Sequence, residues 1–233
     1  MKVFCVRIGD KYGQEYEDYI ERKLGSDYEV VWIREEMIPG QVKLQWNKMY
    51  PMSLDLEEPV CVIDIDMLLT NDYKQAFDYP IQRGQFLAMR AWWRDTLHPD
   101  YSINGGFFKY YPKDCNYIYD KFVSDVWHWQ THYIKNQVTM GPINGEQYFV
   151  EDSVKEKLEL IHLPSSWAVR WLSDYDLNEN VYLEWQNEFR KKYLNETGNK
   201  YVYLGDFHPD IKIVHFTHGE NLPHTWKFFE HYV

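Results

Sequence analysis

The chain has little cysteine, no long apolar run and no surplus of basic charge. Three cysteines, Cys5, Cys61 and Cys115, are spread over 233 residues. No C-x-x-C pair occurs, and an odd count gives no disulfide framework. Cys5 and Cys61 lie in apolar runs and read as buried thiols. No stretch reaches the length of a transmembrane helix. The first residues, MKVFCVRIGDKYG, turn charged too soon for a secretory signal. These absences predict a soluble protein of a reducing, cytoplasmic compartment, where Asn195-Glu196-Thr197 is an incidental glycosylation sequon. The net charge is −11 and no long Lys/Arg run occurs, which argues against a nucleic-acid partner. Repeats, low-complexity tracts and linkers are also missing, so a single domain over residues 1–233 is expected.

What is present is apolar and aromatic. Hydrophobic residues make up 45% and aromatics 18%, with 10 Trp and 20 Tyr, enough for a sizeable core. Rings left at the surface would suit sugars or bases as stacking platforms. The most informative segment is EPVCVIDIDMLLT, residues 58–70. An apolar run, Val60 to Ile63, ends in Asp64-Ile65-Asp66. Strand periodicity would put both carboxylates on one side of the backbone. Two carboxylates at the end of a buried strand repel each other unless a positive charge sits between them. A hard divalent cation with oxygen ligands meets that need.

The rest of the chain alternates strand-like and helix-like patterns. Lys2 to Ile8 is a predicted strand, 9–13 a loop, and Tyr16, Tyr19, Ile20 and Leu24 fall at helical spacing. Tyr28 to Ile33 is a second strand, and 41–50 a predicted helix. Further strands are expected at Phe86 to Arg90, after the glycines of SINGGFFKYYP (102–112), at 158–163 and at 211–216. Helices are expected at 114–135 and after the Gly-rich turn that opens 141–153, with a polar helical excursion in 173–200. The alternation points to an α/β domain with a mixed, mostly parallel sheet flanked by helices, which binds ligands at the carboxyl ends of its strands.

The order of four motifs resembles the metal-dependent glycosyltransferases of the GT-A, Rossmann-like nucleotide-diphospho-sugar transferase fold. It is most similar to their glycogenin and galactosyltransferase-like branch and to small glycosyltransferases of large DNA viruses and phages. The motifs are Asp64-Ile65-Asp66, Asn104-Gly105-Gly106, Glu146-Gln147 and VHFTHGENLPHTW (214–226), and the resemblance covers residues 3–226. It implies a nucleotide- and metal-binding half, 1–110, and an acceptor-side half, 111–233. It implies Asp64, Asp66 and one or both of His215 and His218 as metal ligands, for Mn²⁺ or Mg²⁺. The donor implied is a UDP-sugar first and a GDP-sugar second; the acceptor is a glycan or glycoprotein hydroxyl. The nucleotide would meet Arg7, Gly9, Asp10, Tyr12, Ile65, Arg90, Asn104 and Gly219. Leu222 stands where the family has a lysine on the diphosphate, so Lys11, Lys48, His224 or Lys227 would have to supply that charge.

The activity implied is hexosyl or deoxyhexosyl transfer. An inverting enzyme needs a carboxylate base for the acceptor hydroxyl, with Glu146 the first candidate and Asp95 and Asp100 behind it; a retaining enzyme does not. One rival is a haloacid-dehalogenase-like phosphohydrolase using Asp64 and Asp66, with Gly205, Asp206 and Asp210 as its later motif. Against it, Leu68 stands where Thr or Val is expected, and a βα unit and a further strand precede the acidic pair. The other rival is a non-catalytic carbohydrate-binding protein, which would have no use for paired carboxylates at a strand end.

Overall fold

The computed structural model describes residues 1–93, 101–138, 145–171, 191–199, 207–216 and 230–233. Short apolar runs form the strands β1 (Lys2–Val6), β2 (Glu29–Ile33), β3 (Val60–Ile63), β4 (Met67–Leu69), β5 (Gln85–Arg90), β6 (Ile103–Tyr110), β7 (Glu159–His162), β8 (Ala168–Trp171) and β9 (Ile213–Phe216). The helices are α1 (Gln14–Leu24), α2 (Lys74–Phe77), α3 (Pro112–Ser124), α4 (Val126–Lys135) and α5 (Glu146–Lys157).

Six strands form the main sheet in the order β2-β1-β3-β6-β5-β7. The β1–β2, β1–β3 and β5–β7 pairs are parallel, and β6 runs against both of its neighbours. The mostly parallel α/β sheet is therefore as expected. A second sheet, β4-β9-β8, had no counterpart in the sequence reading.

Alternation along the strands divides the core into two clusters. Val3, Cys5, Cys61, Ile63, Leu87, Met89 and Phe107 join one; Phe4, Val60, Val62, Phe86, Ala88 and Phe108 join the other. A sheet buried on both faces needs apolar residues at consecutive positions, which is why these strands read as continuous hydrophobic runs. The α1 helix covers the first face with buried Tyr16, Tyr19, Ile20 and Leu24. Its acidic first turn (Glu15, Glu17) and basic last turn (Arg22, Lys23) match the helix dipole.

Three expectations change. The helix over 114–135 is two helices. At Asp125 the backbone leaves the helical region (φ −156°, ψ 77°), and its carboxylate accepts from the His128 amide at 2.9 Å, capping α4. The helix at 41–50 is a 3₁₀ segment, Leu44–Ser53. Pro51 has no amide proton for an α-helical ladder. Asn47 diverts the local backbone bonding by accepting from the Met37 amide and donating to the Leu44 carbonyl. Gly105 and Gly106 lie inside β6 rather than in a turn before it. Of the excursion in 173–200, residues 191–197 are helical and 172–190 lie outside the described residues.

The 3₁₀ segment is anchored by Trp46, which stacks on Phe122 of α3 (4.9 Å, 10°) and packs on Phe149 of α5. Trp46→Ala should cost about 3–5 kcal/mol, the range for deleting a buried aromatic. Urea denaturation checks this; a loss below about 1 kcal/mol would mean that the stack is not a core contact.

Candidate active site

A cleft of about 460 Å³ opens beyond the carboxyl ends of β1 and β3. Its floor is the segment between β3 and β4. β3 ends at Ile63, and Asp64, Ile65 and Asp66 form a bend rather than a strand extension. The carboxylates therefore face one centre because of the bend, not because of strand periodicity. Two backbone bonds hold it: the Asp64 amide donates to the Gly106 carbonyl, and the Phe216 amide donates to the Asp66 carbonyl, both at 2.9 Å.

The small sheet brings in the third group. β4 pairs antiparallel with β9, placing Met67 opposite His215. Nε2 of His215 lies 3.4 Å from Asp64 Oδ2 and 3.5 Å from Asp66 Oδ1. One ligand atom from each of Asp64, Asp66 and His215 lies within 4.8 Å of the others. The outer carboxylate oxygens are held from behind. Tyr12 donates its phenol proton to Asp66 Oδ2 at 2.9 Å, and the buried Lys48 amine is ion-paired with Asp64 Oδ1. Each carboxylate thus offers one oxygen to the shared centre.

These contacts set the charges. Burial opposes the charge on Asp64, but Lys48 and His215 outweigh it and lower the carboxyl to about 2. Burial likewise opposes the charge on His215, yet hydrogen bonds to Asp64 and Asp66 raise the imidazole to about 9. Lys48 is raised despite burial, by Asp64 and Glu146. Glu146 is raised by burial, with Lys48 pulling the other way. Two carboxylate oxygens and one imidazole nitrogen around a common point suit a divalent metal, which would take the place of the proton that His215 holds.

The glycines of β6 allow close packing under this centre. A Cβ on Gly105 would lie 2.8 Å from Glu146 Oε1, and one on Gly106 would lie 2.8 Å from Asn104 Oδ1 and 3.1 Å from Met89. Lys48 also donates to the Gly105 carbonyl at 3.0 Å and lies 3.9 Å from Glu146.

Of the residues singled out in the sequence, Tyr12, Lys48, Asp64, Ile65, Asp66, Asn104, Glu146 and His215 line the cleft, as does Lys11. Arg7, Gly9, Asp10 and Arg90 are not among its lining residues. Arg7 is held by Glu17 (2.6 Å), Gln14 and the Tyr12 carbonyl. Gly9 adopts the left-handed region (φ 79°), shaping the loop that delivers Lys11 and Tyr12. Asp10 is exposed on that loop. Arg90 pairs with Glu196 at 2.6 Å. His218, Gly219, Leu222, His224, Lys227, Asp95, Asp100, Gly205 and Asp206 lie outside the described residues. Asp210 accepts from Asn199 at 2.7 Å and does not line the cleft. Trp93, Gln147, Tyr148 and Arg170 do line it. Gln147 stood beside Glu146 in a motif already noted, whereas Arg170 sat in a strand with no sequence signal.

No protein-family model matches the chain, and no curated protein matches it in sequence. Solved structures do resemble it in fold. Galactosyltransferase LgtC, in complex with donor and acceptor sugar analogs, aligns over 93% of this chain and 87% of its own, at 10% identity and TM-score 0.53. The glycosyltransferase GlyE of Streptococcus pneumoniae TIGR4 aligns over 92% of this chain and 54% of its own, at 14% identity and TM-score 0.54. A glycosyltransferase involved in the glycosylation of the major capsid of PBCV-1 aligns over 96% and 98%, at 13% identity and TM-score 0.50.

The charge arrangement has a measurable consequence in metal-free protein. The folded-state value of His215 is raised from 6.5 to about 9, so its contribution is fully present below pH 6.5 and lost as pH rises through about 9. The stability difference between wild type and His215→Gln should be largest near pH 6 and should shrink towards about pH 10. Urea midpoints across that range test it; a constant difference would show that the imidazole is not charge-paired. The fold that presents this site is that of the GT-A glycosyltransferases.

Proposed function

We propose that the protein is a metal-dependent glycosyltransferase that moves a sugar from a nucleoside-diphosphate donor to a hydroxyl of a glycan or glycoprotein. The observation that carries this reading is the convergence of Asp64, Asp66 and His215 on one centre in a cleft of about 460 Å³. A cation held there would neutralise the charge that builds on the departing diphosphate. Two carboxylate oxygens with an imidazole favour Mn²⁺ over Mg²⁺. UDP-sugars are the first donors to test and GDP-sugars the second.

The chain's own groups divide the work. Lys48 and Tyr12 fix the outer oxygens of Asp64 and Asp66, so the inner ones need no reorganisation on binding. Trp93 and Tyr148 give the cleft aromatic walls for sugar rings. Glu146, buried in the cleft and raised above the usual carboxylate range, is the base for an inverting reaction. In a retaining reaction it would instead position the donor.

Asp66→Ala should abolish Mn²⁺-dependent stabilisation by UDP or GDP while leaving the fold intact. Wild type should show a rise in melting temperature that follows RT ln(1 + [L]/Kd). Retained Mn²⁺-dependent binding in the variant would overturn the metal site. With Mn²⁺ and no acceptor, wild type should also slowly hydrolyse a nucleotide sugar to free sugar and nucleoside diphosphate. Hydrolysis of simple phosphate monoesters instead would favour the phosphohydrolase reading. His215→Ala should weaken Mn²⁺ binding by an amount on the order of 2 kcal/mol, measured by the EPR signal of free Mn²⁺. Unchanged affinity would remove His215 from the ligand set.

A further inference from the structure

The cleft is lined by acidic groups at Asp64, Asp66 and Glu146, and a diphosphate entering it meets their repulsion. Lys48 does little to offset this. Its amine is buried and turned to Asp64, the Gly105 carbonyl and Glu146, so its protons serve the cleft's own oxygens. Arg7 and Arg90 pair with Glu17 and Glu196 away from the cleft. Among the described residues, Arg170 is the arginine that lines it, and Lys11, whose amine lies 5.0 Å from the centre of the Tyr12 ring, is the remaining cation there.

Its place follows from strand register. β8 pairs parallel with β9, and Arg170 lies directly opposite His215. Register partners on adjacent strands sit about 4.8 Å apart and point to the same face. The His215 imidazole faces Asp64 and Asp66, so the Arg170 side chain leaves the sheet on the same side, where it lines the cleft. We propose that Arg170 is an anion-binding residue of the cleft, receiving the distal phosphate of a nucleoside diphosphate. This deepens the function proposed above and rests on it. A guanidinium stays charged at any working pH, and its planar fork matches two phosphate oxygens at once.

The test is calorimetric titration of uridine, UMP, UDP and inorganic pyrophosphate into wild type, Arg170→Ala and Arg170→Lys at saturating Mn²⁺. Mn²⁺ affinity is measured separately without nucleotide. Arg170→Ala should weaken UDP and pyrophosphate about 10- to 100-fold and uridine and UMP less than about threefold. Arg170→Lys should recover part of the loss, and Mn²⁺ affinity should not change. Unchanged UDP binding in Arg170→Ala would overturn the assignment and leave Arg170 to an acceptor or a structural role. Equal losses for uridine and UDP would overturn it too. If Arg170→Ala melts early, Arg170→Lys decides: full wild-type UDP affinity or a loss shared by uridine overturns the assignment, and a partial loss confined to UDP and pyrophosphate supports it. A wild type that binds neither UDP nor GDP with Mn²⁺ overturns the function itself, a result distinct from every variant outcome.

Discussion

Everything in the cleft depends on holding two aspartates side by side at the end of a buried strand. Left alone, the carboxylates of Asp64 and Asp66 would repel each other. The protein prevents this by splitting each carboxylate. The outer oxygens face a buried lysine and a tyrosine hydroxyl, and the inner oxygens face His215. Burying Lys48 is costly unless its partners are close, and here an aspartate, a carbonyl and a glutamate surround it. The same contacts that hold the charges also aim them, so electrostatic compensation and site geometry have one origin.

Strand pairing makes this possible. The main sheet supplies Asp64 at the end of β3 and Lys48 from the 3₁₀ segment packed beneath. The small sheet supplies the opposite wall: β4 follows the acidic bend immediately, β9 pairs with it, and β8 pairs with β9. Asp66, His215 and Arg170 are distant in sequence but are locked together by backbone ladders rather than by side-chain contacts alone. A site built on strands in this way has little freedom to spread when charged ligands arrive or leave.

Close approach is the other constraint. β6 lies antiparallel between β3 and β5, and its glycines let Glu146 and the Asn104 side chain approach the backbone to distances that a Cβ would forbid. Asn104 Oδ1 accepts from the Gly106 amide at 2.8 Å, and Gln147 Oε1 from the Gly105 amide at 3.2 Å. The Asn-Gly-Gly segment is therefore a strand whose missing side chains make room for the site, not a turn.

The sequence by itself determined the α/β class, the two-faced burial of the strands, the α1 helix and the acidic pair, because these follow from local periodicity and from one short run of residues. It also marked His215, Asn104 and Glu146 through the order of motifs. It did not reveal the second sheet, whose three-residue β4 is too short to show a period and pairs with β9, more than 100 residues away. It gave one helix over 114–135 and no sign of the break at Asp125, where a side-chain cap outweighs the propensity of the flanking residues. Arg170 was invisible for the same reason as β4: an arginine in a short strand carries no local mark of what lies across from it. Local patterning could say which residues are apolar, charged or flexible. Only the tertiary ladders could decide which charges face one another, because that depends on register between segments that the chain brings together last.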